Sequence, residues 1–172
     1  MMHRRSLIAA LPLIAAFPAL AAPAGRAPKI GIKTVDQLPR PLPSPYDSRA
    51  DARAQVEAAL ERGRVSGKPM LIDFGANWCP DCRILAGVLE LPEMRGWVGQ
   101  KFELVQVDVG RFDRNLDIAQ RFAGKPLGAI PAVFIVDAKT GKLRNASSTL
   151  ALGDARIMKP QEIANWLAKW AS

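Results

Sequence analysis

Two cysteines, Cys79 and Cys82, are the only thiols in this chain of 172 residues, and two residues separate them. They follow the largely apolar run 70–74 and begin a stretch whose pattern predicts a helix. A thiol at a helix start faces unpaired backbone N–H groups and the positive end of the helix dipole, which both favour the thiolate. The spacing therefore predicts a reactive pair, with Cys79 as the nucleophile and Cys82 as its partner.

Three other uses of a cysteine pair compete with this chemistry. A zinc site usually takes four Cys or His ligands, but the sole histidine, His3, lies at the N-terminus, so we predict no metal site. A c-type haem requires a histidine after the second cysteine, where Arg83 stands, and we predict no cofactor. A structural disulfide across so short a loop constrains the unfolded chain little, but export makes such bonds common, and this alternative stays open.

Asp73 is the one charged residue in the run 70–74, six residues before Cys79. Burial in apolar surroundings would raise the pKa of its carboxyl, so that it exchanges protons near neutral pH. It could then take the proton from Cys82 as that sulfur attacks a mixed disulfide. The alternative is an aspartate at a strand end that reaches solvent or caps the following turn.

A proline, Pro131, follows Ile130 and precedes the apolar run 132–136. Proline donates no ladder bond, so it suits the first position of a buried strand. Only X–Pro bonds adopt the cis form readily, yet composition alone favours an ordinary trans proline here.

Predicted helices and strands must position these residues. The helical stretches lie at 48–62, from Cys79 to about Glu90, at 115–122 and from Pro160 onward. The strand-like stretches lie at 70–75, 102–109, 132–136 and near 143–150, with a turn at 139–142 that makes the last two a hairpin. Leu91-Pro92 bends or restarts the second helix. This order predicts an α/β fold with helices on both faces of a mixed central sheet.

Residues 1–22 have a basic start, a short apolar middle and an Ala-x-Ala exit, the parts of a bacterial secretion signal. Prolines interrupt an apolar run that is already too short to span a bilayer, so we expect cleavage and no transmembrane anchor afterwards. We favour the general secretory route, although Arg4-Arg5 also fits a loose twin-arginine pattern. The cysteine pair is therefore predicted to work in the periplasm, where it stays reduced only if a donor supplies electrons.

Residues 23–46 contain six prolines, which disfavour a helix and favour extended backbone. We predict a linker or an arm lying on the domain, and favour a spacer over a peptide-recognition segment. Residues 47–172 suit one domain with one core. The chain has 24 Lys+Arg and 16 Asp+Glu, scattered without a basic stripe, so we expect no nucleic-acid partner. We expect a monomer.

These residues together carry a resemblance to a known family. The pattern Asp73-Phe74-x-Ala76-x-Trp78-Cys79-x-x-Cys82, followed by Ile130-Pro131 and a buried strand, resembles the thioredoxin family over about residues 47–172. Lys68-Pro69-Met70 and Leu91-Pro92-Glu93 are most similar to periplasmic thioredoxin-like domains, including the C-terminal domain of DsbD-type reductases.

The resemblance implies a thioredoxin fold and a thiol:disulfide oxidoreductase that acts on protein disulfides. It implies that Cys79 is the attacking thiolate, Cys82 the resolving thiol and Asp73 the buried proton acceptor. It further implies that Pro131 is a cis-proline beside the pair, that the backbone of Ile130 pairs with the substrate chain, and that Trp78 shields the active-site surface.

The chain departs from the family at two places. Pro80-Asp81 stands between the cysteines where classical thioredoxins have Gly-Pro, and Gly75 stands where they commonly carry Trp. An exposed carboxylate between the sulfurs disfavours the thiolate and makes the disulfide less oxidising, although helix-end geometry can outweigh it. We therefore predict a reductase, redox-tuned by Pro80 and Asp81, that a membrane or periplasmic thiol donor reduces.

Two alternatives to a reductase remain. One is a disulfide oxidase or isomerase, and the other is a non-catalytic binding or scaffolding module with a structural disulfide. An intact pair together with Asp73 and Pro131 argues against the module, which needs none of this chemistry.

Overall fold

A computed structural model describes residues 25–171, and the predicted secretion signal at 1–22 lies outside them. The helices and strands are α1 Ala52–Ser66, β1 Met70–Gly75, α2 Pro80–Leu89, α3 Pro92–Lys101, β2 Glu103–Asp108, α4 Leu116–Ala123, β3 Ala132–Val136 and α5 Pro160–Ala168. Short 3-10 turns lie at Val35–Gln37 and Ala155–Ile157. Within this described range, no helix is both long enough and apolar enough to cross a membrane.

β1 is the central strand of a mixed sheet in the order β2-β1-β3. It runs parallel to β2, with Met70 opposite Glu103, and antiparallel to β3, with Phe74 opposite Ala132. All six of its residues are buried, as expected of a strand that helices cover on both faces. The predicted α/β fold with a mixed sheet is confirmed.

Apolar clusters cover the two faces of this sheet. Side chains alternate along a strand, so Leu71 joins a cluster with α2, α3 and α5, whereas Ile72 joins another with α1 and α4. Asp73 therefore points to the same face as Leu71. This alternation places the one carboxylate of β1 on the side of the sheet where the cysteine helix packs.

α1 starts and ends later than the predicted 48–62. Asp51 is its N-cap, because the side chain accepts a hydrogen bond from the backbone N–H of Ala54 at 2.9 Å. Gly67 ends it in a left-handed conformation, with φ at 77°. Gly63 stays inside the helix, where a Cβ atom would come within 2.5 Å of the Cβ of Ala138. The chain after α2 makes a separate helix from Pro92, so it restarts rather than bends.

The predicted fourth strand near 143–150 is wrong. Within the described residues, Leu143 forms an isolated bridge with Val136, and the chain then continues in turns. Asn145 is fully buried beside β3: its Oδ1 accepts from the N–H of Ile135, and its Nδ2 donates to the carbonyl of Val133, each at 2.8 Å. One side-chain amide thus satisfies backbone groups that a neighbouring strand would otherwise pair.

The proline-rich segment that ends at Tyr46 packs on the domain. Its buried apolar side chains are Ile30, Val35, Leu38 and Tyr46. The guanidinium of Arg83 in α2 donates to the carbonyls of Leu42 and Pro43, at 2.6 and 3.0 Å. Of the two expectations for this segment, a linker or an arm, the described contacts correspond to an arm. We call residues 25–46 the arm.

Candidate active site

A disulfide joins Cys79 and Cys82 at the N-terminus of α2, with their Cα atoms 5.3 Å apart. Cys79 is the N-cap residue, and its Sγ accepts a hydrogen bond from the backbone N–H of Cys82 at 3.2 Å. Pro80 takes the first helical position, where its missing N–H leaves no bond unmade. Cys79 keeps 5% of its surface exposed and Cys82 keeps none. An incoming sulfur therefore meets Cys79 first.

The strand-to-helix connection fixes this position of the cysteines. β1 ends at Gly75, and the backbone N–H of Cys79 donates to the carbonyl of Ala76 at 3.0 Å. The N–H of Cys82 that bonds Sγ also lies in the first turn of α2, where the positive end of the helix dipole is located. The arrangement suits a thiolate at Cys79 once the disulfide is reduced.

Asp73 is fully buried in β1. Burial raises the pKa of its carboxyl from 3.8 to about 6, against the opposing effect of hydrogen bonds from Tyr46 and Gln106. Its Oδ2 accepts these bonds, at 2.8 Å from the Tyr46 hydroxyl and 3.4 Å from Nε2 of Gln106. Its Oδ1 has no hydrogen-bond partner among the described residues. The alternative of a solvent-reaching Asp73 is wrong, and the carboxyl can exchange a proton near neutral pH.

Tyr46, which the sequence interpretation did not select, joins the arm to this site. It forms a buried cluster with Cys79 and Cys82, and Ile130 packs against that cluster. Burial, followed by the nearby charge of Asp73, raises the pKa of the phenol well above its usual 10.0. One signal in the sequence could have found it: Tyr46 is the chain's only tyrosine.

Gly75 has a structural explanation. A Cβ atom built there would come within 2.4 Å of the Tyr46 ring and of its hydroxyl oxygen. The glycine therefore leaves room for an aromatic side chain that comes from the arm. This close approach accounts for one of the two departures from the family pattern.

Ile130 and Pro131 lie beside the disulfide. The peptide bond between them is cis, as the resemblance implied, whereas composition alone favoured trans. The carbonyl oxygen of Ile130 is 3.9 Å from Sγ of Cys79. β3 begins at the next residue, Ala132, and its pairing with β1 fixes this segment. The fold thus brings Ile130 next to Cys79, which lies 51 positions earlier in the chain.

Trp78 presents an open surface next to Cys79. The indole is half-exposed, and its Nε1 donates to the carbonyl of Gly110 at 2.7 Å. The guanidinium of Arg111 lies 5.6 Å from the ring centroid, and Phe112 is also partly exposed. An aromatic and cationic surface therefore borders the accessible cysteine.

Asp81 corrects the expectation of an exposed carboxylate between the sulfurs. It is only 7% exposed, and its Oδ1 accepts from the backbone N–H of Arg156 at 2.9 Å. Its Oδ2 is 3.5 Å from Nη2 of the same arginine. The turn Ala155–Ile157 packs on α2 and brings this cation to the helix. The positive charge of Arg156 offsets the negative charge of Asp81. This weakens the prediction of a reductase, which depended on an unpaired carboxylate between the sulfurs.

Metal ligands are not grouped in this region. Within residues 25–171, no set of three or more His, Cys, Asp or Glu side chains is placed to hold a metal ion. Asp73 and Asp81 instead bond to Tyr46 and Arg156. Both carboxylates near the disulfide thus have protein partners.

Known proteins share the fold and the sequence pattern. A sequence model for thioredoxin-like proteins matches residues 51–138. A thioredoxin from Mycolicibacterium smegmatis is 39% identical over 57 residues, 33% of this chain and 48% of that protein. The chain thus spans about half the length of this curated relative. The crystal structure of a disulphide isomerase from Xylella fastidiosa Temecula1 is 42% identical, with a TM-score of 0.69, over 74% of this chain and 97% of the other.

Proposed function

The chain belongs to the thioredoxin-like family and has its fold, and on that premise we propose that it is an exported thiol:disulfide oxidoreductase that reduces protein disulfides in the periplasm. One observation carries this proposal: the Cys79–Cys82 disulfide lies at a helix start, with Cys79 the more exposed of the pair, in a cluster whose Tyr46 bonds to a buried carboxylate, Asp73. A nucleophile, a resolving thiol and a proton acceptor are the groups that dithiol exchange requires.

The first step belongs to Cys79. In the reduced protein its thiolate attacks one sulfur of a substrate disulfide, so that a bond forms between Cys79 and the substrate while the substrate S–S bond breaks. The other substrate sulfur leaves as a thiolate and takes a proton from water. The N–H of Cys82, which bonds Sγ of Cys79 in the oxidised state, stabilises the attacking thiolate beforehand.

The second step belongs to Cys82 and Asp73. The Asp73 carboxylate takes the proton of the Cys82 thiol as that sulfur attacks Cys79. The Cys79–Cys82 bond forms, the mixed disulfide breaks, and the second substrate sulfur leaves as a thiolate that water protonates. The protein's dithiol has then lost two electrons and the substrate disulfide has gained them. A thiol donor in the membrane or periplasm returns the pair to its reduced state.

Substrate binds across the surface around the disulfide in this proposal. The backbone of Ile130, with its carbonyl 3.9 Å from Sγ of Cys79, pairs with an extended segment of the substrate chain. The half-exposed ring of Trp78 packs on the same segment. Both contacts hold the substrate sulfur against Cys79.

The proposed location comes from the sequence of residues 1–22, which has the three parts of a secretion signal. A reductase in an oxidising compartment depends on its electron donor, because the surrounding thiol balance does not keep the pair reduced.

Disulfide isomerase activity is a second candidate, because the neighbour from Xylella fastidiosa carries that name. In isomerisation Cys79 forms the same mixed disulfide, and a thiol of the substrate then attacks it to release Cys79. One substrate disulfide is exchanged for another without net oxidation. The two candidates therefore differ in which thiol resolves the mixed disulfide.

Insulin reduction with dithiothreitol as the electron source tests the main proposal. We expect Cys79→Ser to abolish turnover, because no nucleophile remains, and Cys82→Ser to accumulate a mixed disulfide with the substrate. The two variants are matched controls for each other, since each removes one sulfur of the same bond. Reduction that survives Cys79→Ser contradicts the proposal.

Two further measurements separate the alternatives. Refolding of a scrambled disulfide substrate by Cys82→Ser indicates isomerase activity, because that reaction does not need the resolving thiol. A reduction potential of about −120 to −270 mV is expected for exchange, with an oxidase near the upper end, whereas a value below about −300 mV indicates an inert structural bond.

A further inference from the structure

Tyr46 ends the arm inside the candidate active site. Its side chain is 2% exposed, and its hydroxyl donates to Oδ2 of Asp73 at 2.8 Å. Its ring lies in the same buried cluster as Cys79 and Cys82. A residue 27 positions before Asp73 thus contacts both the disulfide and the carboxylate.

Several contacts hold Tyr46 in this place. Its backbone N–H donates to Oδ1 of Asn77 at 3.1 Å, and Nδ2 of Asn77 donates back to its carbonyl at 2.8 Å. Asn77 lies two residues before Cys79, so these bonds tie the arm to the turn that leads into α2. Gly75 leaves the space that the ring occupies. Hydrogen bonds therefore hold both the backbone and the side chain of Tyr46.

The groups that face Asp73 come from every element around it. The arm provides the Tyr46 hydroxyl, β2 provides the amide of Gln106, and β3 places apolar Val133 opposite Asp73 in the sheet. The cysteine pair of α2 shares the Tyr46 cluster. No cation among the described residues is bonded to either carboxylate oxygen. The carboxylate is therefore stabilised only by hydrogen bonds from neutral donors.

We propose that Tyr46 is a positioning residue of the exchange reaction: its hydroxyl holds Oδ2 of the Asp73 carboxylate and leaves Oδ1 to accept the proton of Cys82. This role rests on the proposed thiol:disulfide exchange. Tyr46 itself neither attacks a sulfur nor transfers the proton. It keeps the carboxylate charged in an otherwise apolar site, so that the second step proceeds at neutral pH.

The chemistry of the phenol fits this role. Burial and the charge of Asp73 raise the pKa of Tyr46 well above 10.0, so it remains a hydrogen-bond donor throughout the working range. A donor to a carboxylate stabilises the charged form and opposes the upward effect of burial on the pKa of Asp73. Loss of the hydroxyl should therefore raise the pKa of Asp73 above about 6.

Tyr46→Phe tests the proposal, because it removes the hydroxyl and retains the ring over Gly75. In the reduced protein, carbon-13 NMR of labelled aspartate should place the titration midpoint of Asp73 about one pH unit higher than in the unmodified protein. In single-turnover kinetics, the acid limb of the pH–rate profile for Cys82 attack on the mixed disulfide should move to higher pH by the same amount. Attack by Cys79 on the substrate should keep its rate.

The outcomes separate the two proposals. An unchanged Asp73 midpoint in Tyr46→Phe overturns the role of Tyr46, as does equal slowing of both exchange steps, which indicates a merely structural effect. If the unmodified protein does not reduce insulin, the proposed function fails, and the NMR titration still decides whether Tyr46 holds the carboxylate. Gly75→Ala gives a second test, because its Cβ displaces the Tyr46 ring and should shift the Asp73 midpoint in the same direction.

Discussion

Two buried carboxylates lie close to the disulfide in the sequence, and their surroundings differ. Asp73 in β1 bonds to a neutral hydroxyl that the arm supplies, whereas Asp81 in α2 bonds to Arg156 from a turn late in the chain. A neutral donor leaves a buried carboxyl able to change its charge near neutral pH, while a guanidinium offsets the negative charge. The two carboxylates therefore differ in the charge of the group that bonds them, neutral at Asp73 and cationic at Asp81.

The largest expected effect is on stability and distinguishes Asp73 from a paired carboxylate. Its folded-state pKa is raised from 3.8 to about 6, so the folded protein binds this proton more tightly than the unfolded chain. The stabilisation from this proton, a contribution to the free energy of unfolding, is therefore fully present below pH 3.8. It is lost as pH rises through about 6, by about 3 kcal/mol in all. Asp73→Asn should remove this component from urea unfolding measured between pH 4 and 7. An unchanged pH dependence would mean that Asp73 is not the titrating group.

The next effect concerns the rate of the second step. Asp73→Asn removes the proposed proton acceptor but retains the size of the side chain, and should slow Cys82 attack on the mixed disulfide about 100-fold at neutral pH. Asp81→Asn is the matched control, since it makes the same change at the other carboxylate, and should leave this rate within about threefold. Stopped-flow measurement of substrate release gives both values. Equal slowing by the two variants would remove the distinction between them.

A smaller effect is expected at the ion pair. Arg156→Ala leaves the Asp81 carboxylate without its cation, which disfavours the thiolate at Cys79 and so the reduced protein. The reduction potential should fall by about 30 mV, measured by equilibration with glutathione. Arg95→Ala, which also removes an arginine, from α3, serves as the control and should leave the potential unchanged. A rise in potential would show that Arg156 acts in some way other than through Asp81.

The smallest effect is the converse change. Asp81→Asn removes the carboxylate and leaves Arg156 as a net positive charge near the helix start. Cys79 should then favour the thiolate slightly, and the reduction potential should rise by about 15 mV or less. The same glutathione equilibration measures it. A fall in potential would contradict the assigned sign of the charge effect.

Local pattern predicted the elements that carry the reactive groups. β1 matches the predicted 70–75, and α2 begins directly after Cys79 as its spacing indicated. The sulfur pair and the start of β3 were identifiable because a short motif and an apolar run encode them. Their catalytic roles remain predictions.

Contacts between distant residues could not be predicted in this way. Tyr46 reaches Asp73 from 27 positions away, and Arg156 reaches Asp81 from 75 positions away, so no local pattern records either pair. The expectation of an exposed Asp81 failed for this reason. The prediction of a fourth strand was wrong because the side chain of Asn145 hydrogen-bonds backbone groups of β3 where a strand was expected to pair.

The bonds of Asn145 also affect how this protein behaves at high concentration. A strand at the edge of a sheet carries unpaired N–H and C=O groups that can recruit a strand from another molecule, which is a route to aggregation. Asn145 occupies such groups on Val133 and Ile135, and the following turns cover the same edge. The Asn145 amide, together with backbone bonds from Arg144 and Thr149, therefore protects this edge of the sheet against intermolecular pairing.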